Sequence, residues 1–97
     1  MELIEKNALD LAVESIQDRK GYSIIEIVNG VVKIINFDNK AELNRNFGVS
    51  GGKLVPRNRL DKNEDNSYLC RIDGEQVNLN IDNLYLVVNG GVKIRNN

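Results

Sequence analysis

The chemistry open to this chain starts from its cations. Arg45, Lys53, Arg57, Arg59 and Lys62 crowd one stretch, and residues 40–62 hold six basic side chains against two acidic ones, Glu42 and Asp61. Arginine forks and lysine point charges on a glycine-containing loop could grip phosphates. Phe47 is the aromatic nearest to them in sequence, so a base-stacking platform is poorly supplied. The stretches on either side are acidic: residues 63–85 carry Arg71 against Glu64, Asp65, Asp73, Glu75 and Asp82. Near the start, Asp10, Glu14 and Asp18 recur at intervals of four. On a helix they would stand in a column with steps of ~6 Å, a ridge suited to a basic protein surface. These two groups are the candidate partner-binding residues, the basic one first. Catalysis is not expected. With no His in the chain, the commonest general base and metal ligand are both missing. The one Cys, Cys70, can form neither an intramolecular disulfide nor a cysteine-only zinc site. Neither a cofactor nor a metal is expected.

Three short motifs add chemistry of their own. Lys40 to Ser50 reads Lys-Ala-Glu-Leu-Asn-Arg-Asn-Phe-Gly-Val-Ser. This stretch resembles the first helix and turn of helix-turn-helix DNA-binding proteins. The resemblance implies a recognition helix beginning near Ser50, in a window that holds Gly51, Gly52 and Pro56. Glycine costs ~1 kcal/mol and proline ~3 kcal/mol within a helix, which would displace a second helix to about 57–62. Gly48-Val-Ser-Gly-Gly-Lys53 approaches a phosphate-binding loop but is one residue short, and Leu54 stands where a magnesium-binding hydroxyl belongs. Asp61, Asn63 and Asp65 match the opening ligands of a calcium loop, yet its twelfth position is Ile72 rather than a bidentate Glu. A polar turn is the expectation there. Cys70 alternates with Tyr68 and Ile72 and reads as a small core residue.

The elements that must carry these groups follow from periodicity. Residues 3–19 place Ile4, Ala8, Leu9, Leu11, Ala12, Val13 and Ile16 on one arc of a helix, with Gly21 as its stop. Strands at 22–28 and 31–37 flank Asn29-Gly30, a dipeptide suited to the tight turn whose two central residues need positive φ. A short helix over 39–46 is capped by Asp38 or Asn39. Residues 48–66 read as a long loop with one short element at 53–60. Strands at 67–72 and 75–80 flank Asp73-Gly74, and a third hairpin, 84–88 with 92–94, turns at Asn89-Gly90-Gly91. Residues 27–36 and 87–96 agree at seven of ten positions, so the first and third hairpins echo each other.

The expected fold is α+β, one domain over residues 1–97. Its N-terminal helix packs on a curled antiparallel sheet of about six strands built from three hairpins, with the short helix and the long loop inserted mid-chain. An SH3-like small barrel is the alternative, closed through Val77–Val87. No apolar run nears the ~20 residues of a membrane span. Glu2, Glu5 and Asp10 do not suit a signal peptide. A reducing cytoplasm and no membrane partner are expected. Fifteen Asn and ten Ile, both with AT-rich codons, point to a bacterial or phage genome. What remains is a small binding protein with a protein partner, of the kind that phage and mobile-element inhibitors, anti-CRISPR proteins among them, exemplify. A DNA-binding regulator using residues 40–62 is the rival. The oligomeric state is not legible.

Overall fold

The computed structural model describes the backbone of residues 2–97 and the side chains from Asn7 onward. The chain runs through helix α1 (Glu2–Ser15), strands β1 (Tyr22–Val28) and β2 (Val31–Phe37), helix α2 (Lys40–Asn46), and strands β3 (Phe47–Ser50), β4 (Lys53–Pro56), β5 (Arg59–Lys62), β6 (Tyr68–Ile72) and β7 (Glu75–Leu79). A 3-10 turn (Ile81–Asn83) then leads to β8 (Leu84–Val88) and β9 (Gly91–Arg95). The fold is α+β, but its strands form three antiparallel sheets, not one sheet of about six. They are ordered β2-β1-β8-β9, β3-β4 and β5-β6-β7. No barrel closes among the described residues; the segment from β7 to β8 instead carries the chain from the third sheet back to the first.

The first hairpin lies where its turn dipeptide puts it. Asn29 and Gly30 have φ of 51° and 78°, and the ladder runs without interruption from Val28↔Val31 to Tyr22↔Phe37. Its echo occupies the matching place on the other flank of the same sheet, with β1 and β8 paired at the centre and β2 and β9 at the edges. The echoed turn is a two-residue one, Asn89-Gly90, not the longer turn expected. Gly91 already belongs to β9, and the irregularity falls later, where Leu86↔Ile94 is followed by Val87↔Val92.

The expected loop over 48–66 is overturned. Gly51 and Gly52, with φ of 59° and 79°, turn a fourth hairpin between β3 and β4, and β5 follows two residues after Pro56. A Gly-Gly pair with both φ values positive is itself a tight-hairpin signal. It escaped reading because Gly48 and Pro56 made the flanks look irregular. The same hairpin removes the second helix that the helix-turn-helix resemblance implies: α2 ends directly in β3. It also leaves no helix after the glycines, as a phosphate-binding loop would need.

Two buried clusters hold the layers. The larger draws Ile24, Phe37, Leu43, Phe47, Leu54, Cys70, Leu79 and Leu84 from all three sheets and α2. The smaller lies between α1 and the outer face of the first sheet, with Leu9 and Ala12 against Ile25, Ile27, Tyr85 and Val87. Leu11 is not in it; at 67% exposure it leaves the expected apolar arc. At ~100° per residue the buried stripe centres on Leu9, Ala12 and Ile16, and Leu11 falls well to one side. The placement of Ile4 in that arc lies outside the described side chains. Helix α1 also stops at Ser15, four residues before Arg19. Its last turn tightens, with Ile16 N donating to Val13 O at 3.1 Å.

Two buried asparagines tie the sheets to one another. Asn96 Nδ2 donates to Leu54 O and Ile81 O, each at 2.7 Å, and Asn96 Oδ1 accepts from Leu54 N at 2.8 Å. Asn46 Nδ2 donates to Glu42 O and to Asp73 Oδ1, and Asn46 Oδ1 accepts from Asp73 N at 3.0 Å. The first joins β4 to the end of β9; the second joins α2 to the β6–β7 turn. No helix among the described residues is long and apolar enough to cross a membrane.

Candidate functional site

The pairing of β5 with β6 builds the site. Lys62 lies opposite Tyr68 and Arg59 opposite Cys70, with a register shift between Arg59 and Asp61. That geometry brings two cations to one ring. The guanidinium of Arg59 lies 5.7 Å from the Tyr68 ring centroid, and Lys62 Nζ lies 6.0 Å from it. Both are within the range in which a cation is drawn to the face of an aromatic ring. Every side chain of β5 is exposed, including Leu60 at 47%. A shallow concavity of about 300 Å³ opens beside Tyr68, floored by Val55 and Ile81 and rimmed by Arg59, Lys62, Asn66 and Asp82. Lys53 reaches the same rim, its Nζ 3.4 Å from Asp82 Oδ1. Both partners of that pair are more than half exposed, so the pair orients rather than stabilises.

The other two members of the basic group lie elsewhere. Arg57 serves the fold. Its Nε donates to Asn44 O and, at 3.1 Å, to Phe47 O, and its guanidinium lies close over Gly48. A Cβ at Gly48 would come within 3.2 Å of the guanidinium carbon, so a side chain there would push Arg57 aside by a few tenths of an ångström. Arg45 is exposed at the last turn of α2 and borders a separate concavity of about 310 Å³ with Arg71, Asn58 and Asp73. The five cations thus divide into Arg59 and Lys62 over Tyr68, Lys53 paired with Asp82 at the edge of the same concavity, Arg45 near Arg71, and Arg57 as a local clasp.

Tyr68 is the residue that sequence spacing missed. Phe47, the aromatic nearest in sequence, is 1% exposed and stacks edge-on against Phe37 in the core, with ring centroids 6.0 Å apart. Tyr68 is brought in by strand register, and the polar turn between the strands is what folds it back. Asn63 Nδ2 donates to Ser67 Oγ and to Asn78 Oδ1, Asp65 Oδ1 accepts from Ser67 N and Oγ, and Asn66 takes a φ of 65°. Those bonds from Ser67 hold the Asp65 carboxyl below its ordinary range. Asn63 and Asp65, read as possible ligands, spend their polar atoms on this turn. No cluster of three or more His, Cys, Asp or Glu side chains suited to a metal ion occurs among the described residues.

The acidic column is shorter than its spacing implied. Asp10 and Glu14 are exposed on α1, but Asp18 lies beyond the helix end, where the four-residue repeat no longer stacks side chains. Cys70 is fully buried, and burial pushes its thiol above the ordinary range, with Arg59 pulling weakly the other way.

No family model, curated protein or solved structure matches the chain.

Proposed function

We propose that the chain is a non-catalytic binding protein that covers an anionic surface of a protein partner, in the manner of small phage or mobile-element inhibitors of the anti-CRISPR type. The observation that carries this reading is the Tyr68 ring flanked by Arg59 and Lys62 on a fully exposed strand. Arg and Tyr are the side chains most often found to anchor interfaces. Tyr68 is half-buried against the core, so its ring is held in place and its accessible side presents contact area with little rotamer freedom to lose. The cations beside it steer an acidic surface and penalise a basic one. Val55 and Ile81, which line the same concavity, supply the apolar contact that a purely electrostatic patch lacks.

The test uses two polyanions, poly-L-glutamate as a stand-in for an acidic protein surface and a short DNA duplex. Each is titrated at about 50 and 200 mM salt, a range over which a DNA binder loses orders of magnitude in affinity. Poly-L-glutamate should bind the parent, lose at least tenfold in affinity to Arg59→Glu with Lys62→Glu, and bind Asp10→Lys with Glu14→Lys unimpaired. Duplex binding that is tighter, steeply salt-dependent and lost in the same basic-face variant would replace the protein partner by nucleic acid. Binding of neither probe would remove the basic face as the site.

A further inference from the structure

We infer that the outer edge of β2 pairs with the β2 edge of a second copy of this chain, joining the two first sheets into one. Exposed sheet edges in proteins are ordinarily blunted by bulges, charged side chains, proline or brevity. Every other edge described here carries such a device. Strand β9 has the irregularity around Lys93 and ends in Arg95; β5 has a register shift and three charged residues in four; β7 presents Glu75, Gln76 and Asn78; β3 and β4 have four residues each, β4 ending in Pro56. Strand β2 has no bulge, no proline and one charge, Lys33. It is seven residues long, in unbroken register with β1, and exposes Val31, Val32 and Ile34 at 64%, 37% and 36%.

The comparison with its echo sharpens the point. Where β2 has Val31 and Ile35, β9 has Gly91 and Arg95. Both copies keep the lysine, Lys33 and Lys93, but only β9 adds the register irregularity and the terminal Arg95. The single charge on β2, Lys33, is tethered rather than free: its side chain is 46% exposed, but its amine donates to Asn78 O at 2.9 Å and lies 3.7 Å from the buried Glu26 Oε1.

The occupant follows from the hydrogen-bond phase. In a two-residue hairpin the pair beside the turn exchanges both main-chain bonds, and such pairs recur at every second position. Val31, Lys33, Ile35 and Phe37 therefore bond to β1, and Val32, Ile34 and Asn36 point their main-chain groups at the free edge. The opposite phase holds on the far side of β1, where Asn89 N donates to Gly21 O at 3.0 Å. The outward triad is centred on Ile34, the midpoint of the strand. Antiparallel pairing of two β2 strands at full overlap puts Ile34 on the two-fold axis and Val32 opposite the partner's Asn36, so each outward donor meets an outward acceptor. It also sets Lys33 opposite the partner's Ile35, so no like charges face one another. Helix α1 packs over the same face but leaves Val32 and Ile34 accessible.

Sedimentation equilibrium from ~10 µM to ~1 mM tests this, since a small edge interface belongs to the weak end of association. The parent should approach twice the monomer mass with rising concentration. Ile34→Lys, which places two cations on the axis, should shift the dissociation constant at least tenfold upward. Val32→Pro should do the same, because that N–H is not used by β1. Val92→Lys on the guarded β9 edge should leave association unchanged. Amide exchange in the parent provides a check that needs no variant: Val32, Ile34 and Asn36 should slow as concentration rises, while Lys33 and Ile35 stay slow throughout. A parent that remains monomeric at ~1 mM overturns the inference. So does a dimer indifferent to Ile34→Lys, or one whose Val32, Ile34 and Asn36 amides stay fast.

Discussion

Arg57 and Arg59 stand two residues apart and do different work. Arg57 donates to two carbonyls at the C-terminal end of α2 and covers Gly48. Arg57→Glu removes those bonds and sets a carboxylate against the same carbonyls, so a loss of about 1.5–3 kcal/mol is expected. Arg59→Glu, on an exposed strand, should change stability by no more than ~0.5 kcal/mol. Thermal melts of the two variants check this; equal shifts would mean that Arg57 is as free as Arg59. Cys70 should react slowly with a thiol reagent in native buffer and fast in denaturant, because its thiol is buried and its ionisation is opposed by desolvation. The sign of the pH effect follows: the folded thiol ionises later than the unfolded one. The stability it contributes is full below the ordinary thiol range and falls as pH rises through the raised value. Asp65 runs the other way. Its carboxyl is held below 3.8 by Ser67, so its contribution is present above that value and is lost as pH falls through the lowered one. A carboxyl-carbon NMR titration should place the Asp65 midpoint below 3.8; a midpoint at or above it would show that the turn bonds to Ser67 are not kept in solution.

Hairpins are the elements this chain specifies most tightly. The Asn29-Gly30 and Asp73-Gly74 turns fall at the residues expected, with φ of 51° and 49° at Asn29 and Asp73, and the third turn is one residue shorter than expected, with Asn89 at 49°. Gly30→Val forces a β-branched residue to positive φ and should cost about 1–3 kcal/mol. A melting temperature within a degree of the parent would contradict the turn assignment. What was legible was local. Alternation in Tyr68–Ile72 and the capping residue Asn39, whose side chain accepts from Glu42 N at 2.9 Å, are written in neighbouring residues. What was not legible was either unpatterned or distant. Arg59–Lys62 buries no side chain, so the strand leaves no hydrophobic period to read. The Gly51-Gly52 turn was hidden because its flanks mix Gly48 and Pro56 with only two well-buried apolar residues, Phe47 and Leu54. The proximity of Tyr68 to Lys62 and Arg59 depends on a pairing across a turn whose residues are all polar. The cation spacing announced a basic segment, and only the register of β5 on β6 separated the two cations over Tyr68, Arg59 and Lys62, from the three that lie elsewhere.

At the scale of the molecule, the two-stranded second sheet would be marginal alone, since an isolated hairpin buries too little to hold together, and the third sheet adds only one more short strand. They persist because one core is common to them. Ile24 and Leu84 from the first sheet, Phe47 and Leu54 from the second, and Cys70 and Leu79 from the third all belong to the same buried cluster. The radius of gyration, 12.7 Å, matches the ~12–13 Å expected of a compact chain of this length. Asn96 and Asn46 add directional ties where apolar packing has none. The third sheet should therefore not melt apart from the first. Cys70 reports on the third sheet, because it lies on β6 and release of that sheet from the shared core exposes its thiol. In a denaturant series, the midpoint for thiol labelling should coincide with the midpoint for loss of far-UV circular dichroism, as a cooperative transition requires. Asn96→Ala should lower both midpoints together by an amount equivalent to about 3 kcal/mol, because it strands the Leu54 N–H and carbonyl and the Ile81 carbonyl without partners in the interior. If Cys70 labels at a lower denaturant concentration than the far-UV signal falls, the third sheet opens on its own. The face around Tyr68 would then be a loosely attached flap, and the rigid presentation of Arg59 and Lys62 on which the proposed binding rests would be lost.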